Sequence, residues 1–302
     1  MLGPTGAVAI PEFGTSFVRG MLVDTQPTEF DVLIRLSGFS HGTNVWLGNA
    51  KDLIVKERIP VNQAIGCRDD IMIFLIACGL PEKRAFKIME SVRKGRGLPE
   101  GAEEEMLSAN VPKWYIESCK KIEYLFPKAH AVAYVMMAFR IAWFKVHEPL
   151  AFYAAYFSIR AKAFDATCMC RGMETVKKKM RHIVAKDKEA SAVEKDMLTT
   201  LEVVYEFYLR GFAFDRLDLY SAHATLYQMN KEAGTLIPPF TSLPGLGETA
   251  AWSLCEQREG RQFISVEEVL AACPKVSKAH IELLKEMGTL DGMPETSQMT
   301  LF

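Results

Sequence analysis

Cysteine is scarce in this chain, and several features that would assign it to a class are missing. Seven cysteines in 302 residues are too few for a disulfide-stapled scaffold. The closest pair, Cys168 and Cys170, has no nearby histidine and is only a weak metal signal, with free thiols as the alternative. No uninterrupted apolar run reaches the ~18 residues of a membrane span. We therefore expect no transmembrane helix.

The amino terminus lacks the parts of a secretion signal. Its first residues, MLGPTGAVAIPEFG, contain neither a basic segment nor a long apolar core. Together with the few cysteines, this predicts a protein of the reducing cytoplasm. The length predicts two or three domains, and hydrophobic and charged fractions of 49% and 24% exclude a wholly disordered chain.

The net charge of −1 conceals two oppositely charged parts. From Lys120 to Lys188 there are 14 Lys and Arg against 5 acids, whereas residues 189–302 have 9 against 17. The basic stretch indicates a face toward a polyanion, and a solvated helical surface is the alternative. The acidic balance after residue 188 argues against duplex binding there, unless backbone N–H donors offset it.

Hydrophobic periodicity predicts a mainly α-helical fold with a few short strands. Helices are predicted over residues 69–78, 82–94, 112–125 and 189–209. An apolar helical hairpin is predicted over residues 130–161, and we expect it to be buried, with Tyr134, Phe139 and Trp143 in the core.

Strands are expected in two places only. Residues 30–37 form a short apolar run of strand length, followed by a loop over residues 37–44. Residues 214–240 alternate apolar segments with turn signals. The remaining connections are predicted to join helices.

The sharpest local motif is TSLPGLGETAA, residues 241–251. Two glycines allow a tight turn and a close approach of the backbone to a phosphate, and the helix that follows begins near Glu248 with its free N–H groups facing that phosphate. Such a contact binds the DNA backbone without reading bases; a plain tight turn is the alternative. A weaker second copy, without PGxG, covers residues 274–290. The predicted DNA contacts in the first copy are Pro244, Gly245, Leu246, Gly247 and Thr249.

The last five residues, QMTLF, form a second distinct feature. The amide of Gln298 offers directional hydrogen bonds, while Leu301 and Phe302 are apolar anchors worth about 1.5–3 kcal/mol each when fully buried. This pattern is typical of peptides that dock on bacterial sliding clamps. A frayed tail is the alternative.

Several segments together resemble the PolC-type bacterial DNA polymerase III alpha subunit. The resemblance extends over essentially the whole chain, and the block that begins FPKAHAVAYVMMAFRIAWFKV at Phe126 is the most specific. The other matching segments are PEFGTSFVRGML (11–22), LSGFSHGTNVWLGNA (36–50), GCRDDIM (66–72), FKIMESVRKGRGL (86–98) and LIPPFTSLPGLG (236–247).

The resemblance implies the carboxyl-terminal part of a longer polymerase. It assigns residues 1–215 to multi-helical fingers, residues 216–292 to a helix-hairpin-helix duplex-binding region and residues 293–302 to a clamp-binding tail. The implied partners are primer-template DNA, the incoming dNTP, the sliding clamp (beta) and other replisome subunits, with no membrane. The palm and exonuclease would lie outside this chain. We therefore expect no catalytic or metal-binding residue here, no bound cofactor and no activity of this segment alone. The full-length enzyme would use Mg²⁺.

In that family the fingers grip the triphosphate of the incoming nucleotide and cover the nascent pair. Stacking of one of Tyr134, Phe139 and Trp143 against that pair is the alternative to a place in the core. A triphosphate needs rigid N–H donors and fixed cations. The predicted nucleotide contacts are His41, Gly42, Thr43, Arg68, Lys128 and His130. A loop-capping role for His41 and a buried ion pair for Arg68 are the alternatives. We interpret Asp69 and Asp70 as helix-start acids or salt-bridge partners, since adjacent helical side chains diverge by about 100°.

Two basic segments are candidates for contact with a nucleic-acid backbone. Arg93, Lys94 and Arg96 surround a glycine in a loop and are predicted to bind DNA. The run 177–179 of three lysines could track a backbone or form a solvated surface.

Two other functions remain open from the sequence. The chain could be a free-standing DNA- and clamp-binding module without catalysis, which uses the same residues; the DNA upstream of the Met1 codon would discriminate between the two. A helix-hairpin-helix glycosylase would need a catalytic aspartate about twenty residues beyond the hairpin, where Glu267 and Glu268 stand instead.

Overall fold

The computed structural model describes residues 2–297 and is mainly α-helical, with fifteen α-helices and three short strands in that part of the chain. The predicted fold class is therefore confirmed. The chain divides into two compact units, Gly3–Ala142 and the segment from Trp143 onward, with Leu2 assigned to the latter. The division falls within one long helix. The boundary predicted at residue 215 stays a prediction.

The first unit contains seven complete helices and most of an eighth. They are α1 Ser16–Thr25, α2 Phe30–His41, α3 Lys51–Val55, α4 Arg68–Ala77, α5 Glu82–Arg93, α6 Ala102–Ser108, α7 Lys113–Lys121 and α8 Lys128–His147. The predictions at 69–78, 82–94 and 112–125 are confirmed. Local signals explain the boundaries: Pro81 and Pro112 immediately precede α5 and α7, and two acids stand in the first turn of α4.

Large apolar side chains from several helices form the core of the first unit. Leu36, Ile71 and Ile88 are completely buried, and so is Met21. The ring of Tyr115 is also buried and stacks on Phe74 at 4.3 Å between ring centroids. Burying one such side chain contributes about 1.5–3 kcal/mol, so this core stabilises the unit.

The strand predicted at residues 30–37 is wrong, because this segment is the first part of α2. A short apolar run has the same composition in a buried strand and in a buried helix turn, so its length misled the prediction. Arg35 pairs with Asp31 one helical turn earlier, at 3.3 Å. The helix also extends through His41, so the loop predicted at 37–44 is mostly helical.

The second unit begins in α8 and continues with helices and a small sheet. Its helices are α9 Pro149–Ile159, α10 Ala166–Met169, α11 Met173–Ala185, α12 Ala192–Leu209, α13 Glu248–Gln257, α14 Val266–Ala272 and α15 Lys278–Glu286. The strands are β1 Ala213–Phe214, β2 Gln228–Asn230 and β3 Thr235–Ile237. β3 lies in the centre, parallel to β1 and antiparallel to β2, so the strands predicted within 214–240 are confirmed.

Aromatic rings hold the centre of the second unit together. Phe157 of α9 lies 5.7 Å from Phe207 of α12, 5.5 Å from Phe214 of β1 and 5.5 Å from Tyr227 between ring centroids. Beside them, the buried ammonium of Lys145 lies 2.7 Å from Glu206, which also accepts a 2.6 Å hydrogen bond from a tyrosine hydroxyl. Removing one partner of a buried ion pair costs about 3–5 kcal/mol, because the other charge is left uncompensated.

The α8 helix differs from its prediction in burial. Tyr134 is 45% exposed, Phe139 57% and Trp143 51%, so their expected place in the core is wrong. The buried stripe of α8 consists of the small residues Ala131, Val135 and Ala138. Their small side chains face the interior and leave the large ones outside.

The length and composition of α8 also bear on the expectation about membranes. Among residues 2–297 it is the one helix long and apolar enough to cross a membrane, whereas the sequence led us to expect none because Arg140 and Lys145 interrupt its apolar run. A single such helix is a weak indication, since core helices of soluble proteins meet the same criteria.

Candidate nucleotide and nucleic-acid interfaces

An extended segment before α8 brings three parts of the first unit together. The N–H of Thr43 donates to the C=O of Tyr124 at 3.0 Å, and the N–H of Arg68 donates to the C=O of Phe126 at 3.1 Å. The Lys128 N–H donates to the carboxylate of Asp69 at 2.8 Å. The end of α2, the start of α4 and the start of α8 therefore meet along residues 124–128.

Aromatic rings line this meeting point. The ring of Phe126 stacks on His41 at 4.7 Å and contacts His130 edge-on at 5.1 Å between centroids. Tyr134 continues the row at 4.6 Å from His130. Since His41, His130 and Tyr134 are all exposed, the row forms a ring-lined surface.

Three cations surround the same segment, each beside an acid. The Lys128 ammonium lies 3.4 Å from Asp70 and 3.7 Å from Asp31. Asp70 also accepts from Arg35 at 3.2 Å. The Arg68 guanidinium Nε lies 3.8 Å from a carboxylate oxygen of its neighbour, beyond hydrogen-bond distance, so that acid does not occupy its donors.

The acids at the start of α4 are structural. Asp70 accepts the backbone N–H groups of Gly66 and Cys67 at 3.1 and 2.9 Å, as an acid in the first helical turn does. This agrees with the interpretation of Asp69 and Asp70 as helix-start acids and salt-bridge partners. Burial, and secondarily Asp70, raises the pKa of the Cys67 thiol to about 12, so the thiol beside Arg68 stays protonated and unreactive.

The His41 ring is held at both nitrogens. Its Nδ1 lies 2.8 Å from the C=O of Ser37, and its Nε2 lies 3.2 Å from the carboxylate of Glu12. The Ser40 hydroxyl also lies 3.0 Å from Nδ1, so both ring nitrogens have polar partners and the orientation of the ring is fixed. His41 is the last residue of α2 rather than a loop residue.

Gly42 has a packing role in addition to its predicted nucleotide contact. A Cβ at this position would lie 2.3 Å from a methyl carbon of Val45 and 2.9 Å from the C=O of Tyr124. Only glycine therefore allows the turn after α2 to approach the extended segment so closely.

The structure brings all six predicted nucleotide residues to one place in the first unit. Sequence reasoning missed the ring at the centre, Phe126, and the charge partners Glu12, Asp31 and Arg35. Phe126 begins the most specific family block, which also contains the predicted contacts Lys128 and His130. Its place in that block was the sequence signal that could have identified it. Partners distant in sequence carried no such signal.

The basic loop after α5 borders the same segment, because the N–H of Leu125 donates to the C=O of Arg93 at 3.4 Å. Arg93 forms a two-point pair with Glu90 at 2.7 and 3.0 Å, and Lys94 lies 2.9 Å from the same carboxylate. These hydrogen bonds, the Arg93 pair first, lower the pKa of Glu90 to about 2. Arg96 is exposed and has no ion pair within residues 2–297.

The first hairpin turn, which we define as residues 243–247, leads directly into α13. Gly245 adopts a left-handed conformation with φ of +79°, which glycine adopts without strain. Gly247 caps α13 without a side-chain hydrogen bond. The backbone N–H groups of Gly247, Glu248 and Thr249 donate to no acceptor within the described residues, so they remain available to an anion.

A second hairpin turn, which we define as residues 273–277, joins α14 to α15. The weaker second copy proposed from the sequence therefore has the helix-turn-helix arrangement. The side chain of Ser277 accepts the N–H of His280 at 3.3 Å and so caps α15. Apolar residues of all three helices, among them Leu254, Val269 and Leu284, are buried in one cluster.

The other sequence candidates have simpler outcomes. The lysine run 177–179 lies on α11, where Lys177 pairs with Glu174 at 3.0 Å. Gln298, Leu301 and Phe302 lie outside the described residues. Within residues 2–297 no group of three or more His, Cys, Asp or Glu side chains is arranged to hold a metal ion.

Comparison with known families gives two matches along the chain. Residues 1–111 match the model of the bacterial DNA polymerase III alpha subunit finger domain. Residues 215–299 match the model of a helix-hairpin-helix motif. The first match covers most of the unit that holds the ring-lined surface, and the second covers both hairpin turns.

Comparison with individual proteins gives relatives along nearly the whole chain. The chain is 52% identical over 298 residues to "DNA polymerase III PolC-type" of Bacillus cereus, covering 99% of this chain and 21% of that protein. It is 54% identical over 307 residues to the protein of the same name from Streptococcus suis, with the same shares covered. The Listeria innocua protein is 52% identical over 298 residues, with 99% and 20% covered. The chain thus spans about a fifth of the length of these relatives.

Proposed function

Because this chain belongs to the PolC-type DNA polymerase III family and carries its finger domain and helix-hairpin-helix region, we propose that it grips the incoming nucleotide and holds primer-template DNA. It does so as part of a DNA-directed DNA polymerase at the replisome, in the cytoplasm. The isolated segment does not extend a primer. One observation carries the duplex-binding part of this proposal: the free N–H groups at the start of α13.

Those N–H groups suit a phosphate for two reasons. A helix amino terminus carries a partial positive charge, and its first N–H groups have no partner within the helix. The space in front of these N–H groups is open, because Gly245 and Gly247 have no side chain and a Cβ on either would meet nothing within 4 Å. A DNA backbone can therefore approach these donors closely, and it would do so without regard to base sequence.

Duplex binding is tested by fluorescence anisotropy of the full chain with short duplexes of several sequences, over a range of salt. We expect similar affinities for all sequences and a shallow salt dependence, because neutral N–H donors release few counterions. An absence of binding at low salt, or a preference of more than about tenfold for one sequence, would contradict the proposal.

In the first unit we propose that a nucleotide triphosphate binds beside the extended segment. The donors of Arg68, the ammonium of Lys128 and the histidines at the ends of α2 and in α8 supply positive charge and hydrogen bonds. The ring row that starts at Phe126 supplies flat apolar surfaces of the kind on which a base stacks.

The described residues do not fit the catalytic Mg²⁺ of a polymerase. The adjacent acids Asp69 and Asp70 are engaged by Lys128, Arg35 and backbone N–H groups, and within residues 2–297 no group of three or more His, Cys, Asp or Glu side chains is arranged to hold a metal ion. We therefore derive no metal-dependent step from this chain. Two-metal transfer needs paired carboxylates, which another part of the polymerase must supply.

We further propose that Gln298, Leu301 and Phe302 dock on the sliding clamp (beta). Deleting residues 298–302 should abolish clamp binding in surface plasmon resonance and leave duplex affinity nearly unchanged. Replacing Leu301 and Phe302 by alanine should give the same loss, since the apolar pair supplies the anchors. Equal clamp affinity with and without the tail would refute this role.

A further inference from the structure

The two hairpin turns of the second unit have the same construction. In each, the N–H of the fourth residue donates to the C=O of the first, at 3.2 Å in the first turn and 2.8 Å in the second. The residue that precedes the helix also has nearly the same backbone, with φ and ψ of −76° and 166° at Gly247 and of −84° and 164° at Ser277. The turns differ in their caps, because only the second has a side chain that bonds the helix start.

His280, in the first turn of α15, connects these two turns. Its Nδ1 accepts the backbone N–H of Ser277 at 3.2 Å, and its Nε2 lies 3.1 Å from the C=O of Gly245. Because an N–H only donates and a carbonyl only accepts, a neutral ring with its proton on Nε2 satisfies both partners. The bond joins residues 35 positions apart in the chain.

Gly245 is an exposed residue of the first turn. Its backbone is left-handed, and no side chain caps the helix that follows. The direction of the free N–H groups of α13 therefore depends on how firmly this turn is held. The bond from His280 holds it to the start of α15, where Lys275 of the second turn and Lys278 of the helix are exposed.

We propose that His280 is a positioning residue that fixes the first hairpin turn against the second, so that both turns face one DNA backbone together. This inference rests on the proposed duplex binding and adds a residue to it. His280 acts through the carbonyl of Gly245 and need not contact the phosphate. Losing one such hydrogen bond should weaken duplex affinity by about 3- to 10-fold.

The test compares two variants of the full chain by anisotropy on a short blunt-ended duplex. His280→Ala loses the bond between the turns together with the contact of its ring to the Ser277 N–H, whereas Ser277→Ala loses the hydroxyl cap of α15 and keeps the His280 ring. In His280→Ala we expect the 3- to 10-fold loss of affinity and an unchanged salt slope, which is the slope of log affinity against log salt concentration. In Ser277→Ala we expect nearly native affinity. Circular dichroism checks that both variants fold, and nuclear magnetic resonance of the native ring identifies which nitrogen carries the proton.

Each other outcome has a distinct meaning. If the native chain binds no duplex, the proposed function fails and this inference fails with it. If the native chain binds and His280→Ala binds equally well, only the positioning role is overturned. A salt slope reduced by about 0.9 in His280→Ala means a direct phosphate contact and also overturns it. If His280→Ala does not fold, the native spectrum decides: a proton on Nε2 supports the bond, and a proton on Nδ1 excludes it.

Discussion

The two candidate interfaces present positive charge to a ligand in different ways. In the first unit, Lys128, Arg93 and Lys94 each lie within 4 Å of an acid, so their charges are already partly neutralised. At the first hairpin turn, the donors are backbone N–H groups that carry no formal charge and have no partner among the described residues. In the first interface most side-chain cations are in ion pairs, Arg96 being an exception among the described residues, whereas the donors of the second interface are uncharged and free.

This difference bears on the acidic balance of residues 189–302. Residues 189–302 have 17 acids against 9 Lys and Arg, which disfavours duplex binding through side chains. Backbone N–H groups at a helix start do not enter that count, yet they bind phosphate. A net charge therefore predicts only the side-chain part of an interface.

The largest effect should come from filling the space over the free donors. In Gly247→Val, the backbone angles suit valine and its Cβ meets nothing in the protein, so the fold should persist while the side chain blocks the phosphate. Losing two charge-assisted hydrogen bonds should weaken duplex binding about a hundredfold. Fluorescence anisotropy measures the duplex affinity of this variant. The same measurement is made on Gly245→Val, in which the left-handed backbone at residue 245 is strained as well.

The control for that strain is Gly260→Val. Gly260 has φ of +66°, open space around it, and a place in the same unit beyond α13. The Gly260→Val variant should lose stability as Gly245→Val does and keep its affinity for DNA. If the Gly260 and Gly247 variants lose affinity equally, the free donors are not the binding element.

A smaller loss should follow from removing the cations of the first unit. Arg68→Ala and Lys128→Ala should each weaken binding of a deoxynucleoside triphosphate about tenfold, since a hydrogen bond to a charged group contributes about 1.5–3 kcal/mol. Isothermal titration calorimetry measures the affinity. Lys120→Ala is the matched control, because this lysine pairs with Glu103 and Glu117 away from the segment. Equal affinity in all three variants would remove these residues from the site.

The smallest effect should be a gain. Glu90→Gln releases Arg93 and Lys94 from the carboxylate they share, so a basic loop that tracks a DNA backbone should bind about threefold more tightly and with a steeper salt slope. Glu117→Gln is the control, since Glu117 pairs with Lys120 at the same spacing in another helix. An unchanged slope in Glu90→Gln would mean that the loop does not contact DNA.

The apolar helices α8 and α9 show where sequence reasoning succeeded and where it failed. Both were predicted as helices, and both are. Only α9 is buried along a broad face that includes Phe152 and Phe157, whereas α8 buries small residues and exposes its rings. Periodicity identifies which residues share a helix face, but the packed neighbour decides which face is covered.

The candidate nucleotide site was also predicted only in part from the sequence. Residue chemistry and the family block selected Arg68, Lys128 and the histidines, which do lie together. The partners Glu12 and Asp31 could not be found, because ion pairs between distant segments leave no periodic trace in the chain. The strand expected at 30–37 failed for a related reason, since its apolar run suited a helix equally well.

The sequence by itself determined the helical character of this protein, its family, the tight turn at PGLG and the residues that carry charge. These depend on local spacing and on residue type, which the chain displays directly. Tertiary structure alone decided that Arg35 and Lys128 pair with Asp70, that Phe126 lies at the centre of the ring-lined surface, and that His280 reaches the carbonyl of Gly245. Those contacts join segments tens of residues apart, and their geometry arises only when the helices pack.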